Sequence, residues 1–251
     1  MKNVLSLSEA KAMLERFKHP KFTNLDNLIA VVETDPEWVK EILPPPLQPA
    51  APLVTITITK SDQFQGTVVE VQARFGDKIG GFGLGYVMDT DLAVIFGREG
   101  LAEPKKIGNT KMEIKGKEYV GTVERFGQEL IRVEATALQE GDPASVSDME
   151  CFHFKYSIKP DGSGLENVRL INATFQTKCT LLEILQPKLV NLNQSVHDIY
   201  GNIPIKNVVA CLHAKVDLLG SAQYLAEVDP EAFLPYAFWK HDDYRLVLEE
   251  V

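Results

Sequence analysis

The chain has 251 residues and a mass of 28.0 kDa, and its 26 Lys and Arg against 35 Asp and Glu give a formal charge of −9 and a pI near 5.1. A net acidic chain lacks the basic surface that binds nucleic-acid phosphates, so we expect no nucleic-acid partner. No apolar run reaches the roughly 20 residues of a membrane span, and the charged N-terminus is unlike a signal peptide. We therefore predict no membrane association and a cytoplasmic protein with three reduced cysteines.

The N-terminal part of the chain carries helix signals. Residues 6–17 have a capping box in Ser6 and Glu9 and apolar residues at helical spacing, which predicts an amphipathic helix. Asp and Pro at 35–36 are typical of the cap and first residue of a second helix. The proline-rich run 44–52 ends that helix, and we expect it to be a rigid connection outside any sheet, because proline cannot donate to a ladder.

Apolar and polar residues alternate in most of the remaining chain, which is the pattern of half-buried strands. Residues 90–100 interrupt it with a predicted helix, capped by Thr90 or Asp91. Turn residues at 115–117 and 126–128 predict antiparallel hairpins. We predict an α+β protein whose sheet is mainly antiparallel and curved or barrel-like, with a few peripheral helices. The predicted strands are 28–32, 53–60, 66–75, 111–126, 128–138, 151–158, 168–176 and 207–219.

We expect one domain over residues 1–251, with its first helix within residues 1–20. The C-terminal segment 229–251 is rich in large apolar side chains. Such a segment avoids water by packing on its own domain or on a neighbouring subunit. In either place Tyr236 or Tyr244 could line a pocket.

Two further patterns invite a binding-site interpretation. The glycines of GGFGLG at 80–85 do not match the spacing of a dinucleotide fingerprint, and we expect a flexible loop or tight hairpin at a pocket mouth. The pairs Cys151-x-His153 and Cys211-x-His213 would suit a Cys2His2 zinc site if their strands were neighbours. Short pairs of this kind on apolar strands are more often buried thiols and imidazoles, so we predict no metal.

The segment GREGLAEPKKIG, residues 97–108, is the most informative stretch, because it places two adjacent lysines in apolar, glycine-rich surroundings. An ordinary lysine with a pKa near 10.4 is neutral in about one molecule in 2500 at pH 7, so a nucleophilic amine needs its ammonium form disfavoured by about 4 to 5 kcal/mol. A second ammonium about 6 Å away supplies roughly 2.8 kcal/mol at an effective dielectric constant of about 20. Adjacent residues of an extended segment face opposite ways, so we expect burial to contribute more than the neighbouring charge.

The string GRE, then four residues, PKK and a glycine one residue later resembles the signature of acetoacetate decarboxylase and its relatives, and weaker matches extend over residues 22–226. The resemblance implies that Lys105 forms a Schiff base with the substrate and that Lys106 modulates it. It also implies a lyase with no metal or organic cofactor, a small-molecule oxo acid as substrate, and assembly into homo-oligomers.

The sequence departs from the family pattern around the expected substrate carboxylate. Leu25 stands where the family has an arginine, and Thr57 stands at one of two glutamate positions, whereas Glu70 keeps the second. Glu103 replaces a commonly aromatic residue before the proline. We expect Glu70, assisted by Glu103, to be the base that abstracts a proton.

A cation for the substrate carboxylate is then needed from elsewhere in the chain. Arg98 and Arg74 are the candidates. We predict decarboxylation of a 3-oxo acid, acetoacetate or a less polar analogue, through a lysine iminium. Two alternatives stay open: an aldolase-dehydratase that condenses a 2-oxo acid such as pyruvate with an aldehyde, and a non-catalytic module that binds a hydrophobic ketone or acid.

Overall fold

A computed structural model describes residues 4–241 and contains eleven strands and four helices within that range. The helices lie at the periphery, and a π-helical turn, Gly97–Leu101, extends the third of them. The elements in chain order are α1 (Leu7–Lys18), β1 (Lys21–Glu33), α2 (Pro36–Ile42), β2 (Gln48–Lys60), β3 (Gln65–Phe75), β4 (Lys78–Met88), α3 (Asp91–Phe96), β5 (Lys105–Ile107), β6 (Asn109–Lys115), β7 (Glu118–Arg125), β8 (Gln128–Glu140), β9 (Met149–Ile158), β10 (Leu165–Leu192), β11 (Asn207–Glu227) and α4 (Pro230–Phe233).

Seven strands close into a barrel. The path runs β11-β1-β2-β3-β4-β9-β10, and β10 pairs with β11 to complete the ring. The pairs are antiparallel except β4 with β9, and β5 adds to β4 in parallel. The C-terminal half of the 28-residue β10 leaves the barrel and continues the sheet through β8, β7 and β6. The predicted curved, mainly antiparallel sheet with few helices is confirmed.

Alternate side chains of each strand point to opposite faces of the sheet, and this gives the protein two apolar layers. On β1, Leu28, Ala30 and Val32 are fully buried in the main core, whereas Asn27 and Ile29 face the other way, into a pocket inside the barrel. The main core also includes residues of β7 and β8, so these strands cover the outer face of β1 to β3. Each buried leucine or isoleucine there stabilises the fold by about 1.5 to 3 kcal/mol.

The predicted helix caps are present. Ser6 accepts from the Glu9 backbone N–H while Glu9 reaches back to Ser6, and Asp35 and Thr90 cap α2 and α3. The apolar side of α1 is largely exposed except where Phe17 stacks on Phe96 at a ring separation of 5.4 Å.

Two expectations about loops are wrong. The second part of the proline run 44–52 belongs to β2, which begins at Gln48. Proline is tolerated there because the pairing with β3 is interrupted between Pro49 and Val54, so no regular ladder of hydrogen bonds is required. The glycine-rich segment 80–85 is not a mouth loop but lies within β4, between β3 and β9.

The C-terminal segment lies against the barrel as far as it is described. Phe233 is buried and stacks on Phe154 at 4.6 Å, and Trp239 contacts Phe82 at 5.3 Å. The predicted pocket tyrosine Tyr244 lies outside the described residues. Among the described helices, none has the length and apolar character needed to cross a bilayer.

Candidate active site

The segment between α3 and β5 turns the chain back toward the barrel. Ala102 adopts the left-handed conformation at φ 57°, which costs a non-glycine residue roughly 1 kcal/mol. The Glu103 N–H donates to the Gly97 carbonyl at 3.1 Å, and the Tyr86 N–H donates to the Pro104 carbonyl at 3.1 Å. These two bonds fix the start of β5, and so the position of Lys105.

The pairing of β5 with β4 sends the two lysines to opposite sides. Lys105 is registered with Tyr86 and lines the pocket, whereas Lys106 is registered with Val87 and does not. The Lys106 ammonium donates to the His197 carbonyl at 2.7 Å and contacts Asp198 at 3.2 Å. Lys106 is therefore committed to a buried ionic cluster behind the pocket.

The pocket has a volume of about 180 Å³ and receives side chains from all seven barrel strands. Its wall is mostly apolar. Within the described residues, the charged groups on it are Glu70, Glu103 and Lys105. The other lining residues are Phe22, Leu25, Asn27, Ile29, Thr57, Thr59, Phe64, Gly66, Val68, Tyr86, Met88, Val146, Met149, Cys151, Phe175, Thr177, Val216 and Leu218.

The Lys105 amine is buried beside a carboxylate. Its side chain is 8% exposed, and Nζ lies 2.7 Å from Oε2 of Glu103, whose side chain is 9% exposed. Gly97 packs directly on this pair, because a Cβ at that position would lie 2.6 Å from the Lys105 Nζ. The absence of a side chain at Gly97, the first residue of the GRE motif, therefore provides the space that the Lys105 amine occupies.

Glu70 belongs to a second buried group at the pocket wall. The Tyr86 hydroxyl donates to Oε1 of Glu70 and also contacts Nε2 of His153 at 3.0 Å. Burial raises the pKa of the Glu70 carboxyl, and it lowers the pKa of His153 to about 4. At neutral pH this environment favours a neutral imidazole, and it makes the Glu70 carboxyl easier to protonate than an exposed one.

The glycines of β4 make room for this group. A Cβ on Gly81 would lie 2.7 Å from the Glu70 carboxyl carbon, and one on Gly83 would lie 2.9 Å from the Tyr86 hydroxyl. Both distances are too short for real side chains. The glycine spacing that fails as a nucleotide motif therefore permits close packing of polar side chains against the strand.

Comparison with known proteins agrees with this geometry. The family model described as "Acetoacetate decarboxylase (ADC)" matches residues 7–228, which is most of the chain. The chain belongs to the acetoacetate decarboxylase family. Its similarity to individual members is low, so the solved structures show the fold alone, and the reaction of this chain is argued from its own residues.

Relatives and solved structures span most of this chain. Acetoacetate decarboxylase 3 of Mesorhizobium japonicum is 24% identical over 208 residues, covering 79% of this chain and 81% of its own. A solved acetoacetate decarboxylase superposes with a TM-score of 0.77 at 21% identity, covering 83% and 89% of the two chains. The enduracididine biosynthesis enzyme MppR, complexed with the condensation product of pyruvate and imidazole 4-carboxaldehyde, superposes with a TM-score of 0.68 at 14% identity, covering 84% and 90%.

The structure brings three of the predicted site residues together and leaves three outside. Lys105, Glu103 and Glu70 line the acetoacetate decarboxylase-like pocket, as do Leu25 and Thr57 at the two positions that depart from the family pattern.

The other three predicted site residues lie elsewhere. Lys106 points behind the pocket, Arg74 is exposed on β3, and Arg98 lies near Tyr156 and Lys240. Neither arginine is therefore placed to bind a substrate carboxylate in the pocket.

Tyr86 and His153 are the site residues that the sequence did not single out for this role. His153 appeared only as half of a CxH pair, and the two pairs lie on β9 and β11, which are separated by β10. No local pattern could have found Tyr86, because it shares a face with Lys105 only through the parallel register of β4 and β5.

Proposed function

We propose that this protein is a Schiff-base-forming lyase that decarboxylates a 3-oxo acid whose remaining part is apolar. One observation carries the proposal: the Lys105 amine is buried against a carboxylate at the wall of an apolar pocket inside the barrel. Such a pocket binds hydrocarbon surface and leaves a lysine as the group that can react with a ketone.

The first step uses the Lys105–Glu103 pair. Oε2 of Glu103 lies 2.7 Å from Nζ of Lys105, so Glu103 can take a proton from the ammonium and leave the neutral amine as the nucleophile. The amine nitrogen adds to the ketone carbon to form a carbinolamine. Glu103 then returns its proton to the departing hydroxyl, which leaves as water, and an iminium remains on Lys105.

The second step uses the iminium as an electron sink. The bond from C2 to the carboxylate carbon breaks, its electron pair moves toward the iminium nitrogen, and carbon dioxide and an enamine result. Among the described residues, no cation other than Lys105 lines the pocket, so the substrate carboxylate is surrounded by an apolar wall. A carboxylate is poorly solvated there, and its departure as carbon dioxide relieves this unfavourable desolvation. A protonated Glu70 supplies the proton that C2 then takes up.

The apolar wall also sets the substrate preference. Leu25 lines the pocket at the arginine position of the family pattern, and Thr57 lines it at a glutamate position. Each added methylene that is buried contributes about 0.8 kcal/mol, so two of them predict about tenfold higher kcat/KM for 3-oxohexanoate than for acetoacetate.

The test is reductive trapping with borohydride on acetoacetate, 3-oxohexanoate and pyruvate, read by intact mass and by carbon dioxide release. We expect a covalent adduct and carbon dioxide with the two 3-oxo acids. Lys105→Ala should lose both, whereas Lys106→Ala should keep the adduct. An adduct with pyruvate that consumes an aldehyde without releasing carbon dioxide would support the aldolase-dehydratase instead, and no adduct with any acid would support a binding module.

A glycine substitution tests the geometry of the amine without changing its chemistry. In Gly97→Ala the new methyl group displaces the Lys105 side chain, and a shift of about 1 Å in a reacting group costs about 100-fold in kcat. Gly100→Ala is the matched control, because a Cβ there meets no atom within 4 Å. Equal rates for the two variants would contradict the proposed role of Gly97.

We also propose that the protein forms homo-oligomers, as the family resemblance implies. Leu14 of α1 and Leu92 of α3 are 64% and 78% exposed, on helices that the Phe17–Phe96 stack holds together. A second copy covering this face would remove apolar surface from water. Light scattering should show a species larger than the monomer, and the Leu14→Glu variant should be monomeric. The cytoplasmic location stays a prediction.

A further inference from the structure

The pocket has a polar pair on the wall that faces Lys105 across the barrel. In the ring of seven strands, β1 is separated from β4 by two strands on one side and by three on the other. Asn27 on β1 and Thr59 on β2 are register partners, and both line the pocket. Lys105 enters from β5, which pairs with β4. The amine and the polar pair therefore lie on opposite walls.

The Asn27 amide is held in one orientation. Asn27 and Thr59 are only 6% and 7% exposed, and the Thr59 hydroxyl donates to Oδ1 of Asn27 at 2.7 Å. This bond occupies the amide oxygen and turns Nδ2 away from Thr59. Nδ2 forms no hydrogen bond within the described part of the chain, so its two hydrogens are available to a molecule in the pocket.

The surroundings of this amide are apolar. Leu25 and Ile29 lie on either side of it on the same face of β1, and Val216 of β11 also lines the pocket. A hydrocarbon chain that displaces water from the amide leaves the Nδ2 donor unpaired, whereas an oxygen atom at the same point satisfies it. The amide therefore discriminates between a methylene and an oxygen at one position of the bound molecule.

The strand register places the amide and Glu70 on opposite sides of the reacting centre. Gly66, Val68 and Glu70 follow one another on the pocket face of β3. Val68 lies in the same register row as Lys105, and Gly66 lies in the row of Asn27. Because Glu70 protonates C2, the C1–C2 end of the substrate lies toward Glu70. The chain on the other side of the ketone then extends toward the amide.

We infer that Asn27, oriented by Thr59, binds an oxygen atom on the part of the substrate chain beyond the ketone. The inference rests on the proposed lyase function and its Schiff base, and it narrows the substrate to a 3-oxo acid whose otherwise apolar chain carries one ether, hydroxyl or carbonyl oxygen. Nδ2 donates to that oxygen, while the neighbouring methylenes contact Leu25 and Ile29. Asn27 sets specificity and takes no part in breaking the bond to the carboxylate.

Matched ketones test this inference without requiring decarboxylation. The ketones 5-methoxy-2-pentanone and 2-heptanone have the same length and differ by one oxygen in place of a methylene, as do 6-methoxy-2-hexanone and 2-octanone. Each is trapped on Lys105 with cyanoborohydride, and intact mass gives the concentration for half-maximal labelling. For at least one pair, the ratio of this concentration for the ether to that for the hydrocarbon should be at least about tenfold lower in wild type than in Asn27→Leu.

Thr177→Val is the matched control, because Thr177 also lines the pocket but its hydroxyl already donates to the Phe175 carbonyl at 3.3 Å. This variant should keep the wild-type ratio. Should Asn27→Leu fail to fold, Thr59→Val removes the bond that orients the amide and should raise the ratio at least about threefold.

A ratio that is the same in wild type and in Asn27→Leu for both pairs would overturn the oxygen-binding role of Asn27. An equal change in Thr177→Val would also overturn it, as would an unchanged ratio in Thr59→Val where that variant takes the place of the first. Wild-type protein that traps no ketone would instead overturn the Schiff base at Lys105, and the role of Asn27 with it. Carbon dioxide release from 3-oxohexanoate is measured separately, so that a failure of decarboxylation alone leaves the ratio to decide.

Discussion

Two clusters in this protein are built from the same three residue types and behave in opposite ways. Glu70, Tyr86 and His153 form one at the pocket wall, and Glu183, Tyr119 and His213 form the other between β7, β10 and β11. In both, a tyrosine hydroxyl donates to a glutamate. The difference lies in what surrounds the imidazole.

His213 has two carboxylates, whereas His153 has none bonded to it. Nδ1 of His213 contacts Oε2 of Glu183 at 2.6 Å, and Nε2 contacts Asp26. Burial disfavours the imidazolium, but the bonds to Asp26 and Glu183 outweigh it and raise the pKa of His213. The bond from Tyr119 lowers the pKa of Glu183. This cluster is an ionic one that stabilises the fold.

The pocket cluster has the opposite balance, because desolvation there outweighs the hydrogen bonds and charges that oppose it. Burial raises the pKa of Glu70 and lowers the pKa of His153 to about 4. The comparison teaches that the residue types alone do not set the direction of the pKa shifts in such a cluster. The number of carboxylates bonded to the histidine decides the direction for its imidazole.

The largest expected difference between the clusters is in activity. Glu70→Gln keeps the shape and a hydrogen-bonding group but cannot give a proton to C2, so we expect kcat to fall about 100-fold to 10,000-fold. Trapping on Lys105 should persist. Glu183→Gln should change kcat less than twofold, because Glu183 does not line the pocket. A wild-type rate of carbon dioxide release in Glu70→Gln would remove Glu70 from the mechanism.

The next difference is in the pH dependence of stability. The raised pKa of His213 means that its contribution is complete below about pH 6.5 and is lost as pH rises through the folded-state pKa. The stability gap between wild type and His213→Gln should therefore shrink from pH 6 to pH 9.

His153 should show the reverse trend. Its lowered pKa makes the fold less stable as pH falls below about 6.5, by roughly 2 kcal/mol at pH 5. The gap between wild type and His153→Gln should then shrink as pH falls. Urea unfolding at pH 5, 6, 7.5 and 9 measures both gaps, and parallel trends for the two variants would contradict the contrast between the clusters.

The smallest effect is expected from the structural tyrosine. Tyr119→Phe removes one hydrogen bond to a carboxylate and should lower the free energy of unfolding by about 1 to 2 kcal/mol, with kcat unchanged. Denaturant unfolding and a steady-state assay check this. A substantial loss of activity would mean that the second cluster is coupled to the pocket.

The sequence predicts the fold class well because alternation and turn residues are local signals. It locates most barrel strands and the caps of three helices, and Ser6 and Thr90 cap the helices as predicted. The sequence pattern misses β4, because its glycines interrupt the apolar alternation. It also ends β10 too early, because the strand continues through residues 177–192, where its pairing changes from β11 to β8.

The site is predictable only where the motif is specific. Lys105 follows from the motif itself, whereas Glu103 departs from it and is a candidate because of its nearness to Lys105 in the sequence. The extended geometry already implies that Lys106 faces away. Arg98 and Arg74 could not be excluded by pattern, because their distance from the pocket depends on long-range strand pairing. The Tyr86–His153 contact joins residues 67 positions apart, and no local spacing encodes it.

Closure of the barrel joins the two ends of the described chain. β1 pairs with β11, so that Asn27 meets Ala214 and Leu25 meets Val216, and both strands supply pocket residues. Contacts of such sequence separation form slowly and late. On the ribosome, Lys105 is therefore synthesised long before the barrel that buries it can close. A nascent chain halted before residue 207 should leave that amine open to acylating reagents, and release of the full-length chain should protect it.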